Sequence, residues 1–275
     1  MNGTSTVLAY YDALHKSLEH LLFISIRSLL NEQSERLPAG LLPREDGRVL
    51  DVACGKGEWV RAMAHTYPAM EVVGLDASEE TIRTVRCLAS HLDNARFLLG
   101  EMHCMSDVAD NSFDLVRACC VAPWVAPHAW HALIQQWLRV CRSGGRLVWI
   151  ESAFPETNSQ ACLQWCEMMQ RAMLFSGKTP DVTPMMDILF ADAGCQNLQQ
   201  VETTLDVSTG TDLHIRLHRN ISVLLEMVQP FLTNHKAGSV SDIDRVCREA
   251  AIDLYGDDFI ATWTFQVVTG EKPRV

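Results

Sequence analysis

The sequence lacks the features of disulfide-stapled, secreted and membrane-spanning proteins. Its ten cysteines include no C-x-x-C pair, and ten thiols in 275 residues are too few for a disulfide scaffold. The longest apolar run, Leu21 to Ile26, ends at Arg27 and is far shorter than the about 20 residues that cross a bilayer. No basic segment precedes an apolar run, so we expect no secretory signal. These absences predict reduced thiols and a cytoplasmic location.

The chain also has no excess of positive charge. It carries 23 Lys and Arg against 34 Asp and Glu, a formal net charge of -11. Nucleic-acid binding depends on neutralising phosphates with basic side chains, and anionic membrane surfaces attract the same side chains. The composition therefore argues against both partners and indicates nothing about oligomeric state. With 48% hydrophobic residues, the chain can bury the core of one α/β domain.

One stretch has the pattern of a nucleotide site. Residues 49–52 read as a short buried strand, two glycines follow at Gly55 and Gly57, and a helix resumes near Trp59. Glycine allows a ligand to approach the backbone closely, and a helix N-terminus presents unpaired N–H groups. The dinucleotide pattern G-x-G-x-x-G fails here because Val60 replaces its third glycine, and the phosphate-loop pattern G-x-x-x-x-G-K-[ST] is absent.

Further strands and helices alternate along the chain. Residues 71–78 contain the second predicted strand, which ends in the carboxylate of Asp76, and Ser78 follows it. The Asp76 carboxylate would either cap the next helix or accept hydrogen bonds from the two hydroxyls of a ribose. Ser78 already fills the cap position, which favours the ribose. A third strand covers residues 94–102 and a fourth begins near residue 113. The fifth covers residues 146–151, so the order indicates βαβ units and a parallel sheet.

Several of these segments resemble motifs of the class I S-adenosylmethionine (SAM)-dependent methyltransferases. Asp51 and the turn Ala53-Cys54-Gly55-Lys56-Gly57 resemble motif I, with alanine in place of its first glycine. The run Asp110-Asn111-Ser112-Phe113-Asp114 resembles the D-x-S-F-D run before strand 4 of that family. The resemblance covers about residues 45–152 and returns at 186–206 and 262–273. It is broadest to small-molecule enzymes of quinone biosynthesis and natural-product methylation.

The resemblance implies a Rossmann-like α/β fold. Its seven-stranded, mostly parallel sheet would be flanked by helices and end in an antiparallel strand. Residues 45–210 and 257–275 would form the SAM-binding core. Residues 1–36 would form an N-terminal cap helix and residues 211–256 an inserted helical cap, both over the C-terminal strand ends and within a single domain.

The resemblance also implies SAM as cofactor, with S-adenosylhomocysteine as its product. Asp76 would bind the ribose, Glu101 the adenine amino group and Met102 the adenine ring, and Tyr11 or Tyr10 would close over the methionine end. The full set of implied cofactor residues is Tyr11, Asp51, Ala53, Cys54, Gly55, Gly57, Asp76, Ala77, Glu101, Met102, Ala118, Cys119 and Trp124.

No catalytic residue can be assigned from the sequence, because positioning alone accounts for much of methyl transfer and a general base is optional. The candidates for a base or a substrate contact are His128, His131, His214, His218 and Glu151, with His103 as a further histidine. His214 and His218 have the i,i+4 spacing of metal ligands, but no third ligand accompanies them. We therefore expect no metal.

These patterns predict an enzyme that transfers the SAM methyl group to a small, largely apolar metabolite. Two other functions stay open at this stage. The first is a SAM-binding protein of the same fold that does not transfer methyl groups and works as a subunit or as another catalyst. The second is an oxidoreductase with a nucleotide cofactor, which the missing third glycine disfavours.

Overall fold

The computed structural model describes residues 43–44 and 46–274. Tyr10, Tyr11 and the predicted N-terminal cap helix lie outside these residues. The first half contains strands β1 to β5, helices α1 to α3 and two 3-10 turns, at Ala122–Trp124 and Pro127–Ala129. In chain order the regular elements are β1 Arg48–Val52, α1 Glu58–Thr66, β2 Glu71–Asp76, α2 Glu79–Leu88, β3 Ala95–Leu99, β4 Phe113–Cys119, α3 Trp130–Val140 and β5 Cys141–Ser152.

The second half is mainly helical. Its elements are β6 Glu156–Thr157, α4 Gln160–Phe175, a 3-10 turn at Thr183–Met185, α5 Met186–Asp192, β7 Gln196–Asp206, α6 Asp212–Met227, α7 Gln229–Asn234, α8 Val240–Asp253 and β8 Ala261–Glu271. The described residues fall into two compact units. We call residues 46–152, 182–203 and 265–274 the sheet unit, and residues 153–181 and 204–264 the helical unit.

The sheet unit has the strand order β3-β2-β1-β4-β5-β8, and β7 pairs with β8. Neighbouring strands from β3 to β5 are parallel, whereas β8 is antiparallel to β5. Parallel strands buried on both faces are near-continuous apolar runs, as β1 and β4 are. The predicted Rossmann-like fold with an antiparallel last strand is thereby confirmed, but the described residues form eight strands rather than the predicted seven, because the two-residue strand β6 also pairs with β8.

A cluster of large aromatic side chains fills the core beside β5. The Trp149 ring lies 4.6 Å from Trp130, 5.9 Å from Trp137 and 5.7 Å from Phe190, centroid to centroid. Helix α3 supplies two of these rings and α5 the third. This packing fixes both helices against the sheet and so fixes the carboxyl end of β5.

Two sheet elements differ in length from the sequence-based prediction. Strand β3 stops at Leu99 rather than Met102, because Glu101 O accepts the N–H groups of Cys104 and Met105 and so closes a tight turn. Strand β5 begins at Cys141 rather than Arg146. Gly144 N–H donates to Lys272 O and Gly145 O accepts from Lys272 N–H, which extends the pairing beyond β8.

The helical unit has its own core. Helix α4 packs on α8, and α6 and α7 also contact α8. Ser159 caps α4 and its hydroxyl donates to Asp253 Oδ2 at the end of α8, with an O–O distance of 2.6 Å. Strand β6 pairs with the first residues of β8. Within the part of the chain that the structure describes, no helix is long and apolar enough to cross a membrane.

Candidate cofactor site

The turn after β1 has an unusual backbone. Ala53, Gly55 and Gly57 have φ values of 54°, 55° and 64°, all in the left-handed region. Glycine adopts this region freely, whereas an alanine there costs roughly 1–2 kcal/mol. Cys54 N–H donates to Leu75 O at 2.8 Å and ties the turn to β2. Ala53 therefore shares the left-handed backbone of Gly55 and Gly57, at the expense of some strain.

Gly57 is required by packing. A Cβ at this position would lie 2.5 Å from Val85 Cγ2 in α2 and 2.6 Å from Phe97 Cε1 in β3. Real Cβ atoms do not approach other atoms so closely. The second glycine of the turn therefore lets the start of α1 pack against its neighbours.

Asp76 at the end of β2 joins the turn directly. Its Oδ2 accepts the N–H of Gly55 at 2.9 Å, and its Oδ1 accepts the N–H of Ser78 at 3.0 Å. The Ser78 hydroxyl accepts from Thr81 N–H, so the predicted helix cap is confirmed and Asp76 is not needed for that role. A carboxylate has about four acceptor positions, and the two backbone bonds leave capacity for two ligand hydroxyls.

Asp51, the acid of motif I, forms a buried ion pair with Arg117, which was not predicted from the sequence. Its Oδ1 lies 2.7 Å from Arg117 Nη1 of the neighbouring strand β4, and the two side chains are 1% and 0% exposed. The register places Asp51 and Arg117 side by side. The Arg117 guanidinium also lies 4.7 Å from the ring centroid of Trp59. The sequence did contain a signal for this ion pair. Arg117 interrupts the apolar part of β4, and the buried Asp51 lies in β1.

The predicted adenine residues follow β3. Gly100 N–H donates to Asp76 O at 3.0 Å, so this segment starts beside the end of β2. Met102 is buried, whereas Glu101 and Ala77 are exposed. These positions place Met102 and the exposed Glu101 carboxylate at the same edge of the sheet as Asp76. Their contacts with adenine remain a prediction.

The end of β4 completes this edge. Ala118 and Cys119 are buried, and Ala118 lies beside Val52 of β1. Cys120 turns into the left-handed region with a φ of 51°, which brings its Sγ within 3.9 Å of Cys119 Sγ. The following 3-10 turn contains the half-buried Trp124.

Glu151 closes the neighbouring strand β5 and is 3% exposed. One oxygen, Oε1, accepts three hydrogen bonds, from Val121 N–H at 2.7 Å, Ala122 N–H at 3.0 Å and Trp149 Nε1–H at 2.9 Å. Burial raises the pKa of the Glu151 carboxyl to about 8, although the bond from Trp149 acts in the opposite direction. The carboxyl group is thus fixed in place, and burial disfavours its charged form.

The four histidine candidates divide between the two units. In the sheet unit, His128 is exposed in the 3-10 turn before α3, His131 is exposed in the first turn of α3, and His103 is exposed after β3. His214 and His218 lie in the helical unit with their rings stacked 5.1 Å apart. His214 Nε2 contacts Leu254 O and His218 Nδ1 contacts His214 O, each at 2.8 Å. The His214 contact joins α6 to the residue that follows α8, whereas the His218 contact stays within α6.

Among the residues that the structure describes, no group of three or more His, Cys, Asp or Glu side chains could hold a metal ion.

The sheet unit thus gathers most of the predicted cofactor residues at the carboxyl ends of β1, β2, β3 and β4, where open parallel sheets bind ligands. A family model for a methyltransferase domain matches residues 49–145, which span these strands. Over this stretch the chain matches the methyltransferase-domain family, which agrees with the predicted class I SAM-dependent type. Tyr11 lies outside the described residues, and its predicted contact stays a prediction.

Individual relatives agree with this family. The chain is 33% identical over 84 residues to the trans-aconitate 2-methyltransferase of Variovorax paradoxus, covering 30% of this chain and 31% of that protein. It is 28% identical over 113 residues to the demethylmenaquinone methyltransferase of Staphylococcus aureus, covering 41% and 46%. The matches therefore span less than half of each curated relative.

A solved structure shows the same fold over a longer stretch. The YcgJ protein of Bacillus subtilis superposes with a TM-score of 0.55 and 14% identity, covering 90% of this chain and 98% of that chain. At this identity the likeness concerns the fold alone. It extends the common architecture well beyond residues 49–145.

Proposed function

We propose that this methyltransferase-family chain binds SAM at the β1 turn and transfers its methyl group to a small, largely apolar molecule. The observation that supports this proposal most directly is the hydrogen bond from Gly55 N–H to Asp76 Oδ2, with an N–O distance of 2.9 Å. It joins the carboxylate that would hold the ribose to the turn that would hold the methionine part. No dinucleotide or phosphate-loop pattern competes for this turn.

The residues present fit SAM. The left-handed turn from Ala53 to Gly57 keeps side chains away from an approaching ligand. Asp76 retains acceptor capacity for the two ribose hydroxyls, and a buried Met102 offers an apolar contact for the adenine ring. SAM carries no phosphate, which agrees with a turn that lacks a phosphate-binding lysine pattern. When bound, SAM supplies a methyl group activated by its sulfonium.

The acceptor is proposed to be a small metabolite on two grounds. A net charge of -11 disfavours nucleic acid as the acceptor. The two curated relatives are named for small-molecule reactions, on trans-aconitate and demethylmenaquinone. Histidines and Glu151 remain candidate substrate contacts, and the residues that touch the acceptor are part of the proposal.

Calorimetry with S-adenosylhomocysteine tests the cofactor half of this proposal, with NAD as the matched competitor. We expect saturable binding of S-adenosylhomocysteine and none of NAD. Binding of NAD alone would replace the proposal by a nucleotide-cofactor oxidoreductase. Gly55→Val should abolish binding of S-adenosylhomocysteine while circular dichroism still shows a folded chain, because a β-branched side chain at positive φ obstructs the turn.

Radiolabelled SAM tests the transfer half. The protein is incubated with methyl-labelled SAM and fractionated small-molecule extracts, and label is followed into organic-soluble products. Transfer that disappears with Asp76→Ala would support the proposal. Tight binding of SAM without transfer to any fraction would favour the alternative of a SAM-binding protein with another role.

A further inference from the structure

Glu151 makes contacts that go beyond those of a candidate substrate ligand. All three of its hydrogen bonds end on one oxygen, and two of the donors are consecutive backbone N–H groups, of Val121 and Ala122. These two groups open the 3-10 turn Ala122–Trp124. Helical turns leave their first N–H groups without internal partners, so an external acceptor is needed.

The segment that Glu151 holds connects directly to the proposed cofactor site. Strand register places Ala118 between Val52 of β1 and Trp149 of β5, and Cys119 beside Ile150. Cys120 N–H then donates to Ile150 O at 2.8 Å, and the chain bends at the positive φ of Cys120. From Val121 onward, strand pairing no longer fixes the backbone. The N–H groups of Val121 and Ala122 donate instead to the carboxyl group of Glu151.

The third donor fixes Glu151 itself. Trp149 Nε1–H donates to the same oxygen. The Trp149 indole packs against the rings of Trp130, Trp137 and Phe190. The aromatic core of the sheet unit is therefore linked through Trp149 and Glu151 to the backbone after β4. Rigid support of this kind is what a binding site requires from residues behind it.

We propose that Glu151 is a positioning residue for the cofactor site: Oε1 fixes the backbone of Val121 and Ala122 and thereby the placement of Trp124, one of the predicted cofactor residues. This inference rests on the proposed SAM site. It needs only the accepting oxygen Oε1 and gives Oε2 no part. Glutamine retains an oxygen that can accept the same three bonds, whereas alanine removes it.

Amide exchange in ¹⁵N-labelled protein tests the structural part of the proposal, residue by residue. In Glu151→Ala we expect the N–H groups of Val121 and Ala122 to lose protection. Cys120 N–H, which donates to Ile150 O, should remain protected and serves as an internal control. Glu151→Gln should retain protection at all three. Unchanged exchange at Val121 and Ala122 in Glu151→Ala would overturn the assignment.

Calorimetry with S-adenosylhomocysteine tests the functional part, because a purely structural role would leave affinity unchanged in a folded variant. Glu151→Ala should raise the dissociation constant by about tenfold or more, since small displacements of positioned groups have large effects, and Glu151→Gln should restore it to within about twofold. Wild-type affinity in Glu151→Ala, or equal loss in both variants, would overturn the proposal. If the alanine variant does not fold, Glu151→Asp, which is one methylene too short, takes its place with the same expectation.

Asp114→Ala is the matched control. Asp114 also accepts a backbone N–H, from Arg48 at 2.7 Å, but it lies near the amino end of β4, at the opposite edge of the sheet. Its removal should leave the affinity unchanged. A wild-type protein that fails to bind S-adenosylhomocysteine would refute the proposed function, while the exchange experiment would still decide whether Glu151 holds the turn.

Discussion

The ion pair between Asp51 and Arg117 should be one of the strongest determinants of stability in the sheet unit. Both side chains are almost fully buried, and their charged atoms are 2.7 Å apart. Removing one partner of a buried pair leaves the other charge uncompensated and typically costs about 3–5 kcal/mol. Since whole domains are stable by only about 5–15 kcal/mol, Arg117→Met should remove a large part of the free energy of unfolding.

A double-mutant cycle measures the interaction free energy between Asp51 and Arg117. Asp51→Leu combined with Arg117→Met replaces the pair by apolar groups, which is often close to neutral. We therefore expect the double variant to be more stable than either single variant, with a coupling free energy of at least about 2 kcal/mol. Urea unfolding would be followed by tryptophan fluorescence, because Trp59 lies beside Arg117, and by amide exchange in β1 and β4.

An exposed pair provides the control. Arg83 and Glu79 are also joined at 3.2 Å, but their side chains are 72% and 76% exposed. Arg83→Met should change the free energy of unfolding by less than about 0.5 kcal/mol. Single Asp51 or Arg117 variants that cost as little as this control, or a double variant whose loss equals the sum of the single losses, would refute the reasoning.

Three further predictions concern the site. Asp76→Ala should weaken SAM binding by about 1.5–3 kcal/mol, the range for hydrogen bonds to a charged group, as measured by calorimetry. Gly57→Ala should lower the free energy of unfolding by about 1–3 kcal/mol, because its Cβ would meet Val85 and Phe97 within 2.6 Å; thermal and urea unfolding measure this. Burial raises the Glu151 pKa from 4.5 to about 8, so the folded state holds a proton that the unfolded state releases between these values. The stability from this proton is full below about pH 4.5 and is lost as the pH rises to 8, with a slope of up to about 1.4 kcal/mol per pH unit. Glu151→Gln should flatten that slope in urea unfolding series at several pH values.

Unchanged SAM affinity in a folded Asp76→Ala variant would remove Asp76 from the site. A Gly57→Ala variant as stable as the wild type would show that α2 and β3 yield to the added methyl group. An identical pH slope in Glu151→Gln would show that another group titrates over that range.

The motif positions in the sheet could be predicted because they follow from local patterns. Apolar runs separated by helices specify parallel strands, and the carboxyl ends of parallel strands share one edge of the sheet. Asp76 at a strand end and glycines after β1 were therefore identifiable before their contact was seen. Ser78 as a helix cap was equally local, because its hydroxyl bonds to an N–H only three residues away.

Tertiary structure alone decided the contacts between distant segments. Asp51 and Arg117 are 66 residues apart, and their pairing depends on the register of β1 against β4. Glu151 reaches Val121 and Ala122 across about 30 residues, and the bend at Cys120 directs those N–H groups to one oxygen. The sequence by itself indicated the resemblance to the family, the alternation of strands and helices, and the edge of the sheet where the cofactor would bind, because motifs, periodicity and turn chemistry are local features. The partners of its buried charges had to await the folded chain, because register and packing bring together groups whose spacing along the sequence carries no signal.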